Sequence, residues 1–163
     1  MSQPQDSEWP SPLPRRGSAE DGRWGGLPTA RRRPSTQQIV EDALHSVSGQ
    51  EANVSGMLLA STDGLVLAAD TDAVHLDTVA AMAAAAASIG SQFTDQANVG
   101  EASASLFEGD SGHVAVFPVA PRVLLVVFGR KDTTMGLFNI AARNALFLLQ
   151  QTINEQWALD TRQ

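Results

Sequence analysis

An unbroken apolar run, Val-Leu-Leu-Val-Val-Phe, occupies residues 123–128. A run of this kind is typical of a strand that lies inside a sheet and is covered on both faces, because a strand with one solvated face alternates apolar and polar side chains. Covering both faces requires helices above and below the sheet. The run therefore predicts a three-layer sandwich, and the rest of the chain must supply the outer layers.

Eight segments show helical or strand patterns in the order α-β-β-α-β-β-β-α. The first helix is predicted to begin at Ser35, which forms a capping box with Gln38, and to end near residues 48–49. The later elements are strands at 56–61 and 65–69 joined by Thr62-Asp63-Gly64, a helix at about 73–93, strands at 102–107, 113–118 and 123–128, and a helix that starts after residues 132–133. Since every strand-to-strand connection except the one through the middle helix is short, we expect an α/β sandwich with a five-stranded, mostly antiparallel sheet and helices on both faces.

The middle helix is rich in alanine, the strongest helix former. Asp70, Thr71 or Asp72 is expected to cap it. One apolar stripe contains its larger residues, namely Leu76, Val79, Met82, Ala83, Ala86, Ile89 and Phe93. A second, smooth face is formed by Ala81, Ala84, Ala85 and Ser88, and it would allow another backbone to approach closely. We predict that this smooth face contacts a partner.

The last helix is predicted to be capped by Thr133 or Thr134. Its apolar residues recur at helical spacing and form a stripe that we expect to be buried, consisting of Phe138, Ala141, Ala145, Leu148, Leu149 and Ile153.

The strand predicted at residues 102–107 has the composition of an interface strand. It contains no proline or lysine, and only Glu101 and Glu108 flank it with charge. Such a free edge offers unpaired backbone groups to other chains, and natural proteins usually protect it. Pairing with the same strand of a second copy satisfies those groups and closes the assembly. We therefore predict a homodimer that uses the smooth helical face together with Ala102, Ser103, Ala104, Ser105, Leu106 and Phe107.

Proline content and charge divide the chain near residue 34. Residues 1–34 hold six of the eight prolines and carry six arginines against four acidic residues, a net charge of +2. The remainder carries five basic and fourteen acidic residues, a net charge of −9. We expect residues 1–34 to be a disordered tail, residues 35–158 to form one domain and residues 159–163 to fray. An acidic domain repels phosphate backbones, which argues against nucleic acid as a partner.

The apolar segments are too short for a membrane-spanning helix, which needs about 18 or more consecutive apolar residues. The N-terminal residues are polar and proline-rich, unlike a secretory signal. We therefore expect a cytoplasmic protein with no stable membrane insertion, and peripheral association with a membrane through partners stays open.

The patterns of common catalytic and metal sites are missing from the sequence. There is no cysteine, which excludes disulfides, thiolate zinc sites and a cysteine nucleophile, and there is no phosphate-binding loop of the GxxxxGK[ST] type. The histidines His45, His75 and His113 fall on three different elements, and we interpret them as surface or half-buried side chains. We predict no enzymatic activity, no cofactor and no metal.

Residues 56–68, Gly-Met-Leu-Leu-Ala-Ser-Thr-Asp-Gly-Leu-Val-Leu-Ala, resemble the first hairpin of the roadblock/dynein light chain family. The alanine-rich helix, the three-strand meander and the final helix continue the family's order over about residues 35–158. The resemblance implies a dimer in which the edge strand after the middle helix pairs with its copy and the two middle helices lie side by side. The family offers no catalytic residues to assign, so Arg122, Arg130 and Arg143 receive no role.

The resemblance also implies a function. Family members bind or regulate small Ras-like GTPases or serve as scaffolds for motor and signalling assemblies, and similar proteins of filamentous soil bacteria accompany a small GTPase and a sensor-kinase-like protein. Three hypotheses follow: a regulator of a small Ras-like GTPase, a structural adaptor in a kinase-linked complex, and a small-ligand sensor. The third is the weakest, because the sequence shows no convergent set of buried polar residues.

Overall fold

A computed structural model describes residues 35–72 and 75–160, without the side chains of residue 36 and of residues 156–160. The disorder predicted for residues 1–34 lies outside the described residues. Of the segment 159–163 that was predicted to fray, residues 159–160 still belong to the last helix and residues 161–163 lie outside the described residues. The elements are α1 Thr36–Ser48, β1 Val54–Ser61, β2 Val66–Asp70, α2 Leu76–Gln96, β3 Ser105–Gly109, β4 Gly112–Ala120, β5 Val123–Gly129 and α3 Met135–Asp160. Their order confirms the prediction from the sequence.

The five strands form one sheet in the order β2-β1-β5-β4-β3, and all four neighbouring pairs are antiparallel. The apolar run of β5 lies at the centre of the sheet, as predicted. On one face, α1 and α3 cover a core that includes Leu44, Phe117 and Leu125. On the other face, α2 packs over a second core around Leu58 and Val126. The fold is therefore the predicted three-layer sandwich.

Local signals determine the ends of several elements. The Ser35 hydroxyl accepts from the backbone N–H of Gln38 at 3.2 Å, and the Gln38 side chain accepts from the Ser35 N–H at 2.9 Å, which confirms the capping box. Gly64 has φ +84°, the left-handed conformation that the predicted turn requires. At the start of α3, the Leu137 N–H donates to the Thr134 hydroxyl at 3.4 Å, so Thr134 caps this helix.

Two boundaries differ from the prediction. The strand expected at residues 102–107 begins only at Ser105 and runs to Gly109, so Ala102, Ser103 and Ala104 precede it. Alanine and serine are weaker strand formers than the Leu-Phe pair that follows, which accounts for the later start. Helix α2 begins at Leu76 rather than near residue 73, and its N-cap is His75, which makes no side-chain capping bond among the described residues. The prediction that Asp70, Thr71 or Asp72 caps α2 is therefore wrong.

The side of α2 that meets the sheet is neither of the two faces expected from the sequence, because it includes Ala83 of the predicted apolar stripe and Ala84 of the smooth face. Ala80 and Ala83 are buried against the sheet, whereas the large residues Met82, Ile89 and Phe93 are exposed. The sheet beneath already carries leucine and valine side chains, so the helix meets it with small residues that allow close approach. The larger apolar side chains of α2 are consequently left without cover.

His113 also departs from the prediction, because it is buried rather than exposed or half-buried. Its Nε2–H donates to the carbonyl oxygen of Thr133, and its ring stacks on Phe138 with centroids 5.3 Å apart. Its Nδ1 has no hydrogen-bond partner among the described residues. The imidazole is therefore part of the core between β4 and α3.

Candidate interaction surface

An apolar groove of about 500 Å³ lies beside α2, on the face of the sheet that this helix covers incompletely. One wall of the groove contains Met82 and Ile89 of α2. The other wall is formed by the sheet and includes Phe107 of β3, Val114 of β4 and Phe128 of β5. None of the described residues that line it is charged or polar; the further lining residues are Val79, Ala83, Ala85, Ala86, Val116 and Val126. We call this surface the α2 groove.

The α2 groove exists because of how the sequence of α2 is distributed around its axis. Ala80 and Ala83 are buried where the helix packs on the sheet. The turn between β1 and β2 also lies close to α2, since a Cβ at Gly64 would stand 3.0 Å from the Ala81 Cα. On the other flank, Met82 and Ile89 are each 66% exposed. Exposed apolar patches of this kind mark interaction sites in monomeric units.

The groove is bounded by β3, which is an outermost strand of the sheet. Within the described residues, β3 pairs only with β4, so its outer edge has no strand beside it. Phe107 sits at the middle of β3 and projects into the groove, while Ser105 donates from its hydroxyl to the Ala86 carbonyl at 3.4 Å. A free strand edge and an uncovered apolar helix flank therefore meet at one place.

The structure brings together only some of the predicted interface residues. Ala85 and Phe107 line the α2 groove, whereas Ala81 lies next to the turn at Gly64 and Ala84 packs on the sheet. Ser88 is exposed and accepts a hydrogen bond from Gln92. Ala102, Ala104 and Ser105 line a small separate cavity, Ser103 is exposed, and Leu106 lies on the opposite face of β3 from Phe107.

Sequence reasoning missed the groove residues of β4 and β5. The sequence pattern predicts that Val114 and Phe128 lie in strands, but it does not predict that they line an interface, because an apolar strand residue has the same pattern whether a helix covers it or not. No signal in the sequence separates the groove residues of α2 either, since its large apolar residues fall in a single stripe together with residues that pack on the sheet.

The ion pair between Arg122 and Asp63 does not involve residues that line the α2 groove. Arg122 has φ +70° in the turn between β4 and β5, and its guanidinium pairs with Asp63 at 2.7 Å, both side chains being exposed. No group of three or more His, Asp or Glu side chains in residues 35–72 and 75–160 is placed to hold a metal ion. Over the same ranges, no helix has the length and apolar character needed to cross a membrane.

Asp70, at the end of β2, is the one titrating group with a clear shift among the described residues. A hydrogen bond from the Ser48 side chain, with smaller contributions from the hydrogen bond and charge of His45, holds the pKa of Asp70 below its usual 3.8, although partial burial acts the other way. His45 Nδ1 lies 3.3 Å from Asp70 Oδ1. A carboxylate with a lowered pKa stabilises the fold above its ordinary pKa, and this contribution is lost as the pH falls through the folded value.

We expect Asp70→Asn to reduce the free energy of unfolding slightly at pH 7, because the amide cannot carry the charge that Ser48 and His45 favour. The difference from the native chain should begin to shrink as the pH falls below about 3.8 and should disappear below the lowered pKa of Asp70 in the folded chain, where the native carboxyl is protonated too. Urea unfolding at several pH values measures this. Asp63→Asn, in the exposed pair with Arg122, is the control and should change little. A difference that stays constant with pH would contradict the assignment.

The fold and the groove define the class of the protein: a roadblock-type α/β sandwich with three helices around a five-stranded antiparallel sheet. The Roadblock/LC7 domain profile matches residues 41–128, more than half of the chain. The chain therefore belongs to the Roadblock/LC7 family. No curated protein matches its sequence.

Solved structures with the same fold agree with this assignment. Myxococcus xanthus MglB is 16% identical with a TM-score of 0.63, covering 77% of this chain and 95% of its own. The gliding protein MglB from Thermus thermophilus is 18% identical with a TM-score of 0.62, covering 76% and 95%. A Roadblock/LC7 domain from Streptomyces avermitilis is 17% identical with a TM-score of 0.58, covering 74% and 97%. At these identities the likeness concerns the fold.

Proposed function

We propose that this protein is a non-enzymatic regulatory module that acts as a homodimer and binds a small Ras-like GTPase, whose nucleotide cycle it modulates. The observation that carries the proposal is the α2 groove next to the free edge of β3. Membership in the Roadblock/LC7 family supports it, because the family is generally non-enzymatic and includes GTPase regulators. The similarity of its fold to MglB points in the same direction.

Two incomplete features at one place support the proposed dimer. Pairing β3 with β3 of a second copy gives its backbone groups partners and extends the sheet across both chains. The same approach brings the exposed flank of the second α2 over the groove, where Met82, Ile89 and Phe107 lose water. A hydrophobic groove with no charged lining suits a permanent interface between copies.

The GTPase would bind the assembled dimer, on the surface that the paired α2 helices create. The chain has no phosphate-binding loop of its own, so any effect on GTP must be exerted on a partner that binds the nucleotide. Two of the arginines in the described residues are already engaged within the chain: Arg122 pairs with Asp63, and Arg143 contacts Asn139 and the Phe117 ring. Regulation would then act by positioning the partner's own groups.

The test is to measure GTP hydrolysis and nucleotide exchange by candidate small Ras-like GTPases with and without this protein. A saturable change in either rate, together with a defined complex by light scattering, supports regulation. Binding with no change in rate favours the adaptor function within a kinase-linked complex. If every candidate GTPase ignores the protein in calorimetry, the GTPase proposal fails.

A lysine at Phe107 tests the edge of β3 specifically. We expect Phe107→Lys to weaken dimerisation strongly, because the ammonium would enter the apolar groove and edge lysines oppose strand pairing. The matched variant is Leu106→Lys, one residue earlier on the opposite face of the same strand, and it should weaken the dimer less. Light scattering of both variants at micromolar concentration gives the comparison. Equal loss in both would show that the groove face has no special part.

A further inference from the structure

The solvent face of α3 carries a second set of uncovered apolar side chains. Leu137, Ile140 and Phe147 are 54%, 60% and 59% exposed. Spacings of three and seven residues place them in one stripe, with Asn144 in the gap between Ile140 and Phe147. The core residues of α3, such as Phe138 and Leu149, lie on the other side of the helix. We call these three residues with Asn144 the α3 ridge.

The face around the ridge is almost uncharged. From residue 135 to residue 154 the only charged side chain in the sequence is Arg143, and the exposed polar residues are amides such as Gln150, Gln151 and Asn154. A solvated helix face is normally rich in charge, and α1 follows that rule with exposed Glu41 and Asp42. Depletion of charge around apolar residues is the composition of an interface core.

We propose that the α3 ridge packs antiparallel against the α3 ridge of a second copy, as an interface separate from the α2 groove. Residues 35–163 carry a net charge of −9, so most faces of two copies repel each other. The α3 ridge is a face without acidic residues, where a copy can approach at little electrostatic cost. A partner of strongly positive charge would instead choose the acidic surfaces.

The spacing of the ridge is self-complementary about a two-fold axis between Arg143 and Asn144. Such an axis places Ile140 of each chain opposite Phe147 of the other, so that two large apolar contacts form at once. It also places the Asn144 amide of one chain beside Arg143 of the other, where a guanidinium N–H other than the Nε–H that Asn139 accepts can donate to the amide oxygen. Arg143 already donates to Asn139 at 3.2 Å and lies over the Phe117 ring, which keeps its charge beside the ridge.

The size of the ridge sets the strength of this contact. Three apolar side chains that are each more than half exposed present roughly 300 Å² of apolar accessible surface. When two ridges and their neighbouring amides meet, the total accessible surface that they bury is smaller than the roughly 1,200 Å² that stable interfaces reach. The α3 contact is therefore weak and concentration-dependent, and it joins units that the stronger interface has already formed. Since α3 and α2 lie on opposite faces of the sheet, both contacts can form together.

The first experiment follows the mass of the full chain by light scattering and sedimentation from low to several hundred micromolar. We expect the native mass to rise with concentration beyond the basic unit, and Ile140→Glu or Phe147→Lys each to remove that rise. Leu65→Glu is the control, because Leu65 is 65% exposed on the β1–β2 turn, outside the ridge. An equal mixture of Ile140→Glu and Phe147→Lys should recover association, since the antiparallel register sets the introduced carboxylate of one chain against the introduced ammonium of the other.

The second experiment uses the absence of cysteine from the sequence. Under mild oxidation, chains with Ile140→Cys should cross-link to chains with Phe147→Cys far faster than either variant cross-links to itself. Recovery and cross-linking together establish the antiparallel ridge. The proposal is overturned if the native mass never rises, if the mixture fails to recover, or if ridge variants abolish GTPase binding while self-association is unchanged. The α2 groove is tested by different residues, so either interface can fail without the other.

Discussion

Replacing Met82 by glutamate should turn the proposed homodimer into a monomer at micromolar concentration. Met82 is 66% exposed in the single chain and lines the α2 groove, where dimerisation would remove it from water. A carboxylate placed there has no described charged or polar neighbour in the groove to compensate its desolvation. Central interface residues of this kind cost about 2 kcal/mol or more when changed, which is roughly a thirtyfold or larger increase in Kd by the usual conversion, about tenfold per 1.4 kcal/mol.

The matched control for this prediction is Leu65→Glu. Leu65 is 65% exposed, the substitution is of the same kind, and the residue does not line the groove. Light scattering should show a dimer for the native chain and for Leu65→Glu, and a monomer for Met82→Glu with an unchanged circular dichroism spectrum. A native chain that runs as a monomer, or a Met82→Glu variant that stays dimeric, contradicts the groove as the dimer interface.

The proposed dimer and the proposed GTPase regulation both depend on α2. If the GTPase binds the surface formed by two α2 helices, Met82→Glu should lose GTPase binding together with dimerisation. Substitutions in the α3 ridge should leave both intact and affect only association beyond the dimer. The two exposed apolar surfaces lie on opposite faces of one sheet, so these variants would separate the proposed role in forming the dimer from the proposed role in its further assembly.

The fold was predictable because its strongest signals are local. The Ser35–Gln38 capping box, the Asp-Gly turn at Gly64 and the apolar run of β5 each depend on a few neighbouring residues, and all three were confirmed. The same holds for Thr134 at the start of α3. These signals fix element order, and the short connections then leave few arrangements of the strands.

The candidate site was less predictable, since it depends on which face of α2 meets the sheet. Alanines around most of the helix give both flanks an apolar character, so periodicity alone does not choose between them. Only the shape of the sheet, with Leu58 and Val126 already filling the space, selects Ala80 and Ala83 as the contact residues. The burial of His113 is similarly non-local, because the Thr133 carbonyl and the Phe138 ring reach it from the start of α3.

Phe138→Ala should lower the free energy of unfolding by about 3–5 kcal/mol, a large part of the roughly 5–15 kcal/mol that holds a domain folded. The Phe138 ring is fully buried beneath α3 and fills the space where a Cβ at Gly129 would otherwise stand. It also stacks on His113, whose Nδ1 already has no partner among the described residues. Removing the ring leaves a cavity and takes away the apolar neighbour of the imidazole. The loss of unfolding free energy is therefore larger than the loss of buried apolar surface alone would give.

Phe147→Ala is the control for this last prediction, because it makes the same change further along the same helix. Phe147 is 59% exposed in the single chain, and exposed substitutions usually alter stability by no more than about 0.5 kcal/mol. Urea unfolding of the native chain and both variants, at a concentration too low for ridge association, measures the two effects side by side. The expected result is a strongly reduced midpoint for Phe138→Ala with an unchanged slope, and a native-like midpoint for Phe147→Ala. If both variants unfold at the native midpoint, Phe138 does not occupy the core between Gly129 and His113, and the position of α3 on the sheet is wrong.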